Sequence, residues 1–254
     1  MATLRVENLW MEYGAQTVLE RVNLDVADGA FCALVGASGC GKSTFLRLLL
    51  SQERPTRGTI LMDGQPLPQD PGPDRGVVFQ RYSVFPHLNA VQNVALALEI
   101  ARAPGLGRLF GKARRAALSE AEVMLADVGL GHACGHYPAE LSGGMQQRLA
   151  IAQALARKPR ILLLDEPFGA LDPGTRTQMH GLISRLWRET GMTVFMVTHD
   201  IREAFALGTR VLVFDKTRHD PQAPGAYGAT ITYDLPVDRS TSKVPSVSEE
   251  KSAP

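Results

Sequence analysis

The sequence predicts an α/β protein in which a largely parallel sheet is covered by helices. Short apolar segments alternate with helical segments after Ala30, as in proteins whose parallel strands are joined by crossover helices. A glycine-rich turn lies between one such strand and the next helix, at Gly36–Thr44. The chain has 254 residues, of which 44% are apolar and 21% charged, a composition that is ordinary for a folded core.

The N-terminal part predicts strands on both sides of a first helix. Leu4–Leu9 and Thr17–Val26 show broken apolar and polar alternation, which is typical of antiparallel strands. The continuous apolar run Ala30–Val35 predicts a buried strand, and the segment KSTFLRLLL, which contains no glycine or proline, predicts a helix. We therefore expect an antiparallel β lobe beside the main sheet. Two further short strands are expected at Gly58–Asp63 and Val77–Phe79.

The stretch from Ala90 to Lys158 differs in composition from the rest of the chain. It is rich in Ala, Leu, Arg and Glu, and it predicts several helices broken at Pro104–Gly107 and Gly129–Pro138. We expect a helical lobe over about residues 90–158, inserted into the α/β core of a domain that covers residues 1–239. Residues 240–254 are mostly Ser, Pro, Lys and Glu, and we expect a disordered tail there.

Strands return beyond the helical stretch. Asp172 and Pro173 suit the N-cap and first turn of a helix that reaches about residue 189, whose apolar positions form one stripe. Three buried strands that complete the main sheet are expected at Arg160–Asp165, Thr193–Thr198 and Arg210–Phe214.

Charge and cysteine content exclude several classes of protein. Lys and Arg number 27 and Asp and Glu 26, so the net charge of +1 excludes a protein that binds polyanions by charge alone. Three scattered cysteines are too few for a disulfide framework, which favours a reducing compartment. No apolar run approaches the ~18 residues of a membrane span, and the first residues lack the pattern of a signal peptide. We expect a cytoplasmic protein.

The segment GASGCGKST fits the phosphate-binding pattern G-x-x-x-x-G-K-[ST] between a strand and a helix. Glycines let backbone N–H groups turn toward one point, and the helix N-terminus adds partial positive charge there. Lys42 can reach the β- and γ-phosphates of ATP, and Ser43 can supply a hydroxyl to Mg²⁺. The candidate ATP-binding residues of this loop are Gly36, Ala37, Ser38, Gly39, Cys40, Gly41, Lys42, Ser43 and Thr44.

Two carboxylates follow the apolar run in ILLLDEP. The run predicts a strand that delivers Asp165 and Glu166 to the carboxyl edge of the sheet, where ligands of open α/β sheets bind. Asp165 is the candidate for holding Mg²⁺ through its water shell, and Glu166 is the candidate for polarising the attacking water. Alone, the pair is equally typical of an exposed turn; the phosphate-binding loop favours the catalytic interpretation.

A second helix start suited to anions lies in LSGGMQQR. Ser142 and two glycines open a helix there, although a simple capped helix has the same pattern. One ATP does not need two such cradles from one chain, which suggests that the second serves the ATP of another molecule. The candidate contacts are Ser142, Gly143, Gly144 and Met145.

These segments and the THD at Thr198–Asp200 together resemble, in order, the nucleotide-binding subunits of ATP-binding cassette (ABC) transporters. The resemblance covers about residues 3–215 and implies the ABC ATPase fold, a P-loop NTPase core with a mixed sheet, an antiparallel β lobe and an inserted helical lobe. It implies an ATPase that needs ATP and Mg²⁺ and is coupled to transport.

The resemblance assigns roles to four more residues. Tyr13 matches an aromatic that stacks on adenine, although a core or surface tyrosine is the alternative. Gln80 matches a glutamine that touches Mg²⁺ and the attacking water, or is a polar residue at a strand end. Asp172 matches a loop that crosses a dimer interface, and it also suits a helix cap. His199 matches a switch histidine that contacts the γ-phosphate.

The implied mechanism joins two copies head to tail. Each ATP would lie between Gly36–Thr44 of one chain and Ser142–Met145 of the other. Lys42, Mg²⁺ and the two helix starts would neutralise charge, while Glu166 positions water and His199 holds the γ-phosphate. ATP would then stabilise the closed dimer until hydrolysis removes its contacts.

The sequence is most similar to the nitrate, sulfonate and taurine importer group. Tyr82–Leu88 is the candidate socket for a helix of a membrane permease, or packs between lobes. The expected partners are a second copy, permease subunits and a solute-binding protein, with no nucleic acid, on the inner face of the cell membrane. The residues after Phe214 depart from the usual ending of that group. An exporter subunit, or less readily a cassette ATPase acting on nucleic acid, is the alternative.

Overall fold

Strands form two sheets in this protein. The structure is a computed structural model that describes residues 3–79, 84–103, 108–218, 220–223 and 225–238. The strands that lie within these residues are β1 (Leu4–Tyr13), β2 (Gln16–Val26), β3 (Phe31–Gly36), β4 (Arg57–Met62), β5 (Gln65–Pro66), β6 (Arg75–Val78), β7 (Ile161–Asp165), β8 (Thr193–Val197), β9 (Arg210–Asp215) and β10 (Thr230–Pro236).

The antiparallel sheet has the strand order β2-β1-β4-β5. β1 pairs with β2 from Leu4 opposite Val26 to Tyr13 opposite Gln16, so the pair forms a long hairpin. Alternate residues of β1 and β2 are buried, as expected for a sheet with one covered face. Tyr13 therefore lies at the end of this hairpin.

The second sheet has the order β10-β9-β3-β8-β7-β6, and its strands run parallel except for β10. All five residues of β8 are buried, and so are the first five of β3, because helices or the other sheet cover both faces. Parallel pairing brings the carboxyl ends of β3, β7 and β8 to one edge. The residues that follow those three strands meet at this edge.

Several helices begin at residues whose side chains cap the first turn, and the sequence predicts some of these caps. Asn89 opens α2 with a capping box to Gln92, Ser142 caps α4, and Asp172 caps α5 with Pro173 in the first turn. Their bounds are α1 (Lys42–Leu49), α2 (Ala90–Arg102), α3 (Gly111–Asp127), α4 (Gly143–Leu155), α5 (Pro173–Thr190) and α6 (Ile201–Leu207). In the described part of the chain, no helix is both long and apolar enough to cross a membrane.

Helix α1 is fixed by apolar contacts with both sheets. Phe45 lies 6.4 Å from Phe195 and 5.4 Å from Phe214, measured between ring centroids, and all three rings are fully buried. The same cluster includes Leu4, Val6 and other buried residues of the antiparallel sheet. Burial of this kind stabilises each large side chain by roughly 1.5–3 kcal/mol, so the loop in front of α1 has a rigid support.

The α/β fold is confirmed, and the predicted strands and helices occur close to their expected positions. β1 is longer than predicted, since it continues from Leu9 to Tyr13 along the hairpin. Strand β10 was not predicted because its seven residues are half-buried or exposed and show no apolar run; pairing with β9 creates it. Helices α2, α3 and α4 lie between β6 and β7 in the chain. The expected tail at 240–254 lies outside the described residues, and the lobe boundaries stay a prediction.

Candidate functional site

The glycine-rich loop has a backbone that side chains would disturb. Gly36 has φ +146°, and a Cβ built there would lie 2.1 Å from the carbonyl oxygen of Phe214. Gly41 has φ +83° at the N-cap of α1, and its Cβ would lie 2.7 Å from a methyl carbon of Leu19. Both positions therefore require glycine. Ala37, Ser38 and Gly39 form the exposed rim of the loop.

Lys42 lies inside the curve of this loop. Its side chain is almost fully buried, and its Nζ donates hydrogen bonds of 2.8 Å to the carbonyl oxygens of Gly36 and Ala37. Its Nζ also lies 3.5 Å from Sγ of Cys40. An ammonium group is thus held next to the N-terminus of α1, where the first turn of a helix attracts anions. The arrangement can bind phosphate.

Ser43 and Asp165 bring two oxygen donors together. The Ser43 hydroxyl, in the first turn of α1, donates to Oδ1 of Asp165 at 3.1 Å. Burial raises the pKa of Asp165, and the negative charge of Glu166 adds to the rise, while the hydrogen bond from Ser43 opposes it. Among the described residues no three His, Cys, Asp or Glu side chains form a metal cluster. The hydroxyl and carboxylate oxygens of Ser43 and Asp165 are ligands of the kind that fits Mg²⁺, which usually takes its remaining oxygens from phosphate and water.

Glu166 and His199 meet beside this pair. They follow the neighbouring strands β7 and β8, and Nε2 of His199 contacts Oε1 of Glu166 directly. Glu166 has φ +49°, and its backbone N–H donates to the carbonyl of Val197 at 3.1 Å. A left-handed conformation is strained for glutamate, and such strain is common at functional sites. The two side chains open on a cleft of about 660 Å³.

Tyr13 is close to the same helix. The residue is 44% exposed, and its hydroxyl donates to Oε2 of Glu53. Burial of the hydroxyl raises the pKa of Tyr13, the bond to Glu53 raises it further, and an interaction with Thr44 lowers it. Contact with Thr44 places the tyrosine next to the last residue of the loop. An exposed aromatic ring in this position can stack on a flat ligand.

Ser142 and Asp172 open two helices that lie against each other. Oγ of Ser142 accepts from the backbone N–H of Met145 at 3.3 Å, and a Cβ on Gly144 would lie 2.4 Å from Cγ2 of Thr175. Oδ1 of Asp172 accepts from the N–H of Thr175 at 3.0 Å. Hydrogen bonds from the side chain and backbone of Thr175 lower the pKa of Asp172. Ser142 and Gly143 are exposed.

The structure brings most of the predicted residues together at one edge, but not all. Lys42, Ser43 and Asp165 form one group, and Glu166 contacts His199. Ser142 to Met145 start a separate helix. Gln80, predicted to touch Mg²⁺ and water, lies outside the described residues, as does Tyr82 of the predicted socket.

Sequence reasoning missed a buried network beside His199. The carboxylate of Glu203, on α6, contacts His180 of α5 and the hydroxyl of Thr198. Asp200 and Glu203 have the spacing of a capping box, which predicts only a bond back to the cap. The Glu203 side chain instead turns into the protein. That spacing was the available signal, but it could not reveal the partner on α5.

Comparison with known proteins identifies the family of this chain and several of its relatives. The family model for ABC transporters matches residues 19–169. The chain is 42% identical over 230 residues to the nitrate import ATP-binding protein NrtD of Synechocystis sp., covering 91% of this chain and 80% of that protein. It is 44% identical over 206 residues to the aliphatic sulfonates import ATP-binding protein SsuB 1 of Burkholderia cenocepacia, covering 81% of this chain but only 59% of that protein.

A solved structure has the same fold. It is the ATP-binding cassette MJ0796, a dimer in a post-hydrolysis state bound to ADP and Pi. It is 31% identical to this chain with a TM-score of 0.73, and the match covers 92% of this chain and 99% of the cassette.

Proposed function

This chain belongs to the ABC transporter family, and on that premise we propose that it is the ATP-hydrolysing subunit of an import system. The proposal is supported mainly by two groups of side chains that lie at the same edge of the main sheet. Lys42, Ser43 and Asp165 are suited to a magnesium nucleotide, and Glu166 and His199 are suited to hydrolysis. The named relatives are import subunits for nitrate and aliphatic sulfonates.

Different residues of this chain have different roles in the hydrolysis of ATP. Lys42 and the N-terminus of α1 stabilise negative charge on the phosphates, and Glu166 accepts a hydrogen bond from the attacking water and aligns it. His199 moves from Glu166 to the γ-phosphate when nucleotide enters. Ser43, Asp165 and Gln80 are the residues that would hold Mg²⁺, which when bound would supply further charge neutralisation. The ring of Tyr13 supports adenine.

A second copy completes each site in this proposal. Ser142 and Gly143 are exposed at the start of α4, whereas the phosphate-binding loop of the same chain precedes α1. When two copies pair head to tail, Ser142 and Gly143 of one copy contact the γ-phosphate of the ATP bound to the other. Asp172 then lies at the interface between the copies. The solved relative MJ0796 is dimeric with bound ADP and Pi, which supports this assembly.

The permease subunit would dock where the helices meet the main sheet. A groove of about 280 Å³ lies there, and Phe85 and Ile100 on its border are 39% and 52% exposed. Phe79 and Leu96 line it as well. A short apolar helix of a membrane subunit fits this lining. The chain would then work at the cytoplasmic face of the membrane, with a solute-binding protein on the other side.

Purified chain tests the proposal through Mg²⁺-dependent release of phosphate from ATP. We expect turnover by the unaltered protein, and loss of both ATP binding and turnover in Lys42→Ala. The variant His132→Ala, altered at an exposed histidine away from the site, serves as the control and should retain both. Failure of the unaltered protein to bind Mg²⁺ and ATP would contradict the proposal.

A further inference from the structure

A buried carboxylate joins two elements that the proposed mechanism does not otherwise connect. Glu203 lies on α6 and is only 6% exposed. Nε2 of His180, on α5, lies 2.7 Å from its Oε1, and the hydroxyl of Thr198 donates to its Oε2. Because a carboxylate only accepts, the His180 nitrogen is the donor. Both oxygens of Glu203 are therefore occupied.

The two neighbours of His199 in the chain, Thr198 and Asp200, are both held by hydrogen bonds that involve Thr198. Its own backbone N–H donates to the carbonyl of Leu34 at 3.1 Å, and its Oγ1 accepts from the N–H of Asp200 at 3.0 Å. A hydroxyl that donates to Glu203 presents a lone pair to Asp200, so the carboxylate sets the direction of this second bond. The backbone before His199 is thus held by the bond to Leu34, and the backbone after it is held by the Thr198 hydroxyl.

His180 connects this loop to the region of Glu166. The ring of Phe168, two residues after Glu166, packs edge-on against the His180 ring, with centroids 5.0 Å apart. Phe168 is fully buried, which restricts the position of the imidazole. The cap of α5 is Asp172, which lies at the proposed interface between copies. Because His180 is on the same helix, it also links that interface to Glu203. The cleft beside Glu166 is lined by Phe168, Thr198, His199 and Glu203.

Stability alone is a weak reason for such a network. A buried carboxylate loses hydration, and apolar packing of similar volume is often as stable as a buried charged pair. Arg176 and Asp200, whose charged groups are 3.9 Å apart, border the same cleft but form a separate pair. What the network does provide is a fixed orientation for the loop that carries His199.

We propose that Glu203 and His180 are positioning residues for ATP hydrolysis. They hold the loop around His199 so that its imidazole reaches Glu166 and the γ-phosphate, and they transmit the position of α5 to that loop. This inference rests on the proposed function. Because neither residue touches the phosphate-binding loop, their loss should slow the chemical step and leave nucleotide binding intact.

Four variants of the full chain test the proposal. His180→Ala removes the donor, His180→Gln retains an N–H of similar reach, and Thr198→Val keeps the shape of the side chain without its hydroxyl. His132→Ala is the matched control on an exposed histidine. The measurements are kcat and KM for ATP, the Kd of ATP, and the Tm of each variant.

We expect kcat to fall about tenfold or more in His180→Ala and Thr198→Val, since small displacements of catalytic groups are costly. KM and Kd should stay near those of the unaltered protein, and His180→Gln should recover most of kcat. Unchanged kcat in both His180→Ala and Thr198→Val would overturn the proposal. A glutamine variant as slow as alanine, or a loss of Tm and ATP affinity in parallel with kcat, would overturn it as well. If the unaltered protein hydrolyses ATP in the same assay, any of these failures leaves the proposed function standing.

Discussion

Nε2 of His199 contacts Oε1 of Glu166 across the ends of two neighbouring strands. Parallel pairing of β7 with β8 places Asp165 opposite Val197, so the residues beyond them converge at the sheet edge. The same nitrogen is the group that we assign to the γ-phosphate. Nucleotide binding should therefore exchange one partner of His199 for another, so that the carboxylate of Glu166 can align water.

The first prediction concerns Glu166→Gln. The amide keeps the shape of the side chain but is a poor proton acceptor, so turnover should fall by about 10²–10⁴-fold. ATP binding should persist, and ATP that is not consumed should hold two copies together. Phosphate release and light scattering with ATP measure the two effects. Turnover at the rate of the unaltered protein would contradict the role of Glu166.

The second prediction concerns the backbone of the phosphate-binding loop. Gly36→Ala would place a methyl group 2.1 Å from the carbonyl oxygen of Phe214, at a φ that suits glycine. We expect a loss of about 1–3 kcal/mol in the free energy of unfolding, together with weaker ATP binding. Gly135→Ala is the control, since a Cβ there has no neighbour within 4 Å. Equal denaturation midpoints for the two variants would refute the steric argument.

The phosphate-binding loop could be predicted from sequence because its chemistry is local. Gly36, Gly41 and Lys42 act through backbone conformation and one side chain, and the strand and helix around them are strongly patterned. Asp165 and Glu166 could be predicted for the same reason, since an apolar strand ends at them. The left-handed backbone of Glu166, however, has no signal in its residue type.

The features of the fold and the site that could not be predicted depend on packing between segments that are distant in the sequence. His180 lies next to an apolar stripe of α5, and its contact with Glu203 arises only when α5 and α6 are both placed against the sheet. Strand β10 forms only by pairing with β9, because its own residues show no apolar run. The bond from Tyr13 to Glu53 likewise joins the hairpin to the segment after α1.

The third prediction follows from Asp165. Its pKa is raised, mainly by burial, so the folded protein holds the proton more tightly than the unfolded chain does, and the charged form costs stability at neutral pH. Asp165→Asn should raise Tm at neutral pH. This advantage should shrink as the pH falls through the raised pKa, and it should vanish below the ordinary pKa of an aspartate. Thermal melts at several pH values measure this. A lower Tm for the variant at neutral pH would show that the carboxylate is not a net cost.

The fourth prediction concerns thiol reagents. Sγ of Cys40 lies 3.5 Å from Nζ of Lys42, so modification there should block ATP binding, and ATP should protect. Burial raises the pKa of Cys32 to about 12, which keeps that thiol protonated and unreactive. Mass spectrometry locates the modified cysteine with and without ATP. Cys134→Ser is the control and should be inactivated like the unaltered protein; labelling of Cys40 at saturating ATP would contradict the prediction.

The central claim is that each nucleotide is shared by two copies of the chain. The most direct measurement is the structure of Glu166→Gln with Mg²⁺ and ATP, determined by crystallography or electron microscopy. We predict that each γ-phosphate lies within hydrogen-bond distance of Lys42 from one copy and of Ser142 from the other. An ATP-loaded protein in which Ser142 faces solvent, far from any nucleotide, would contradict the account.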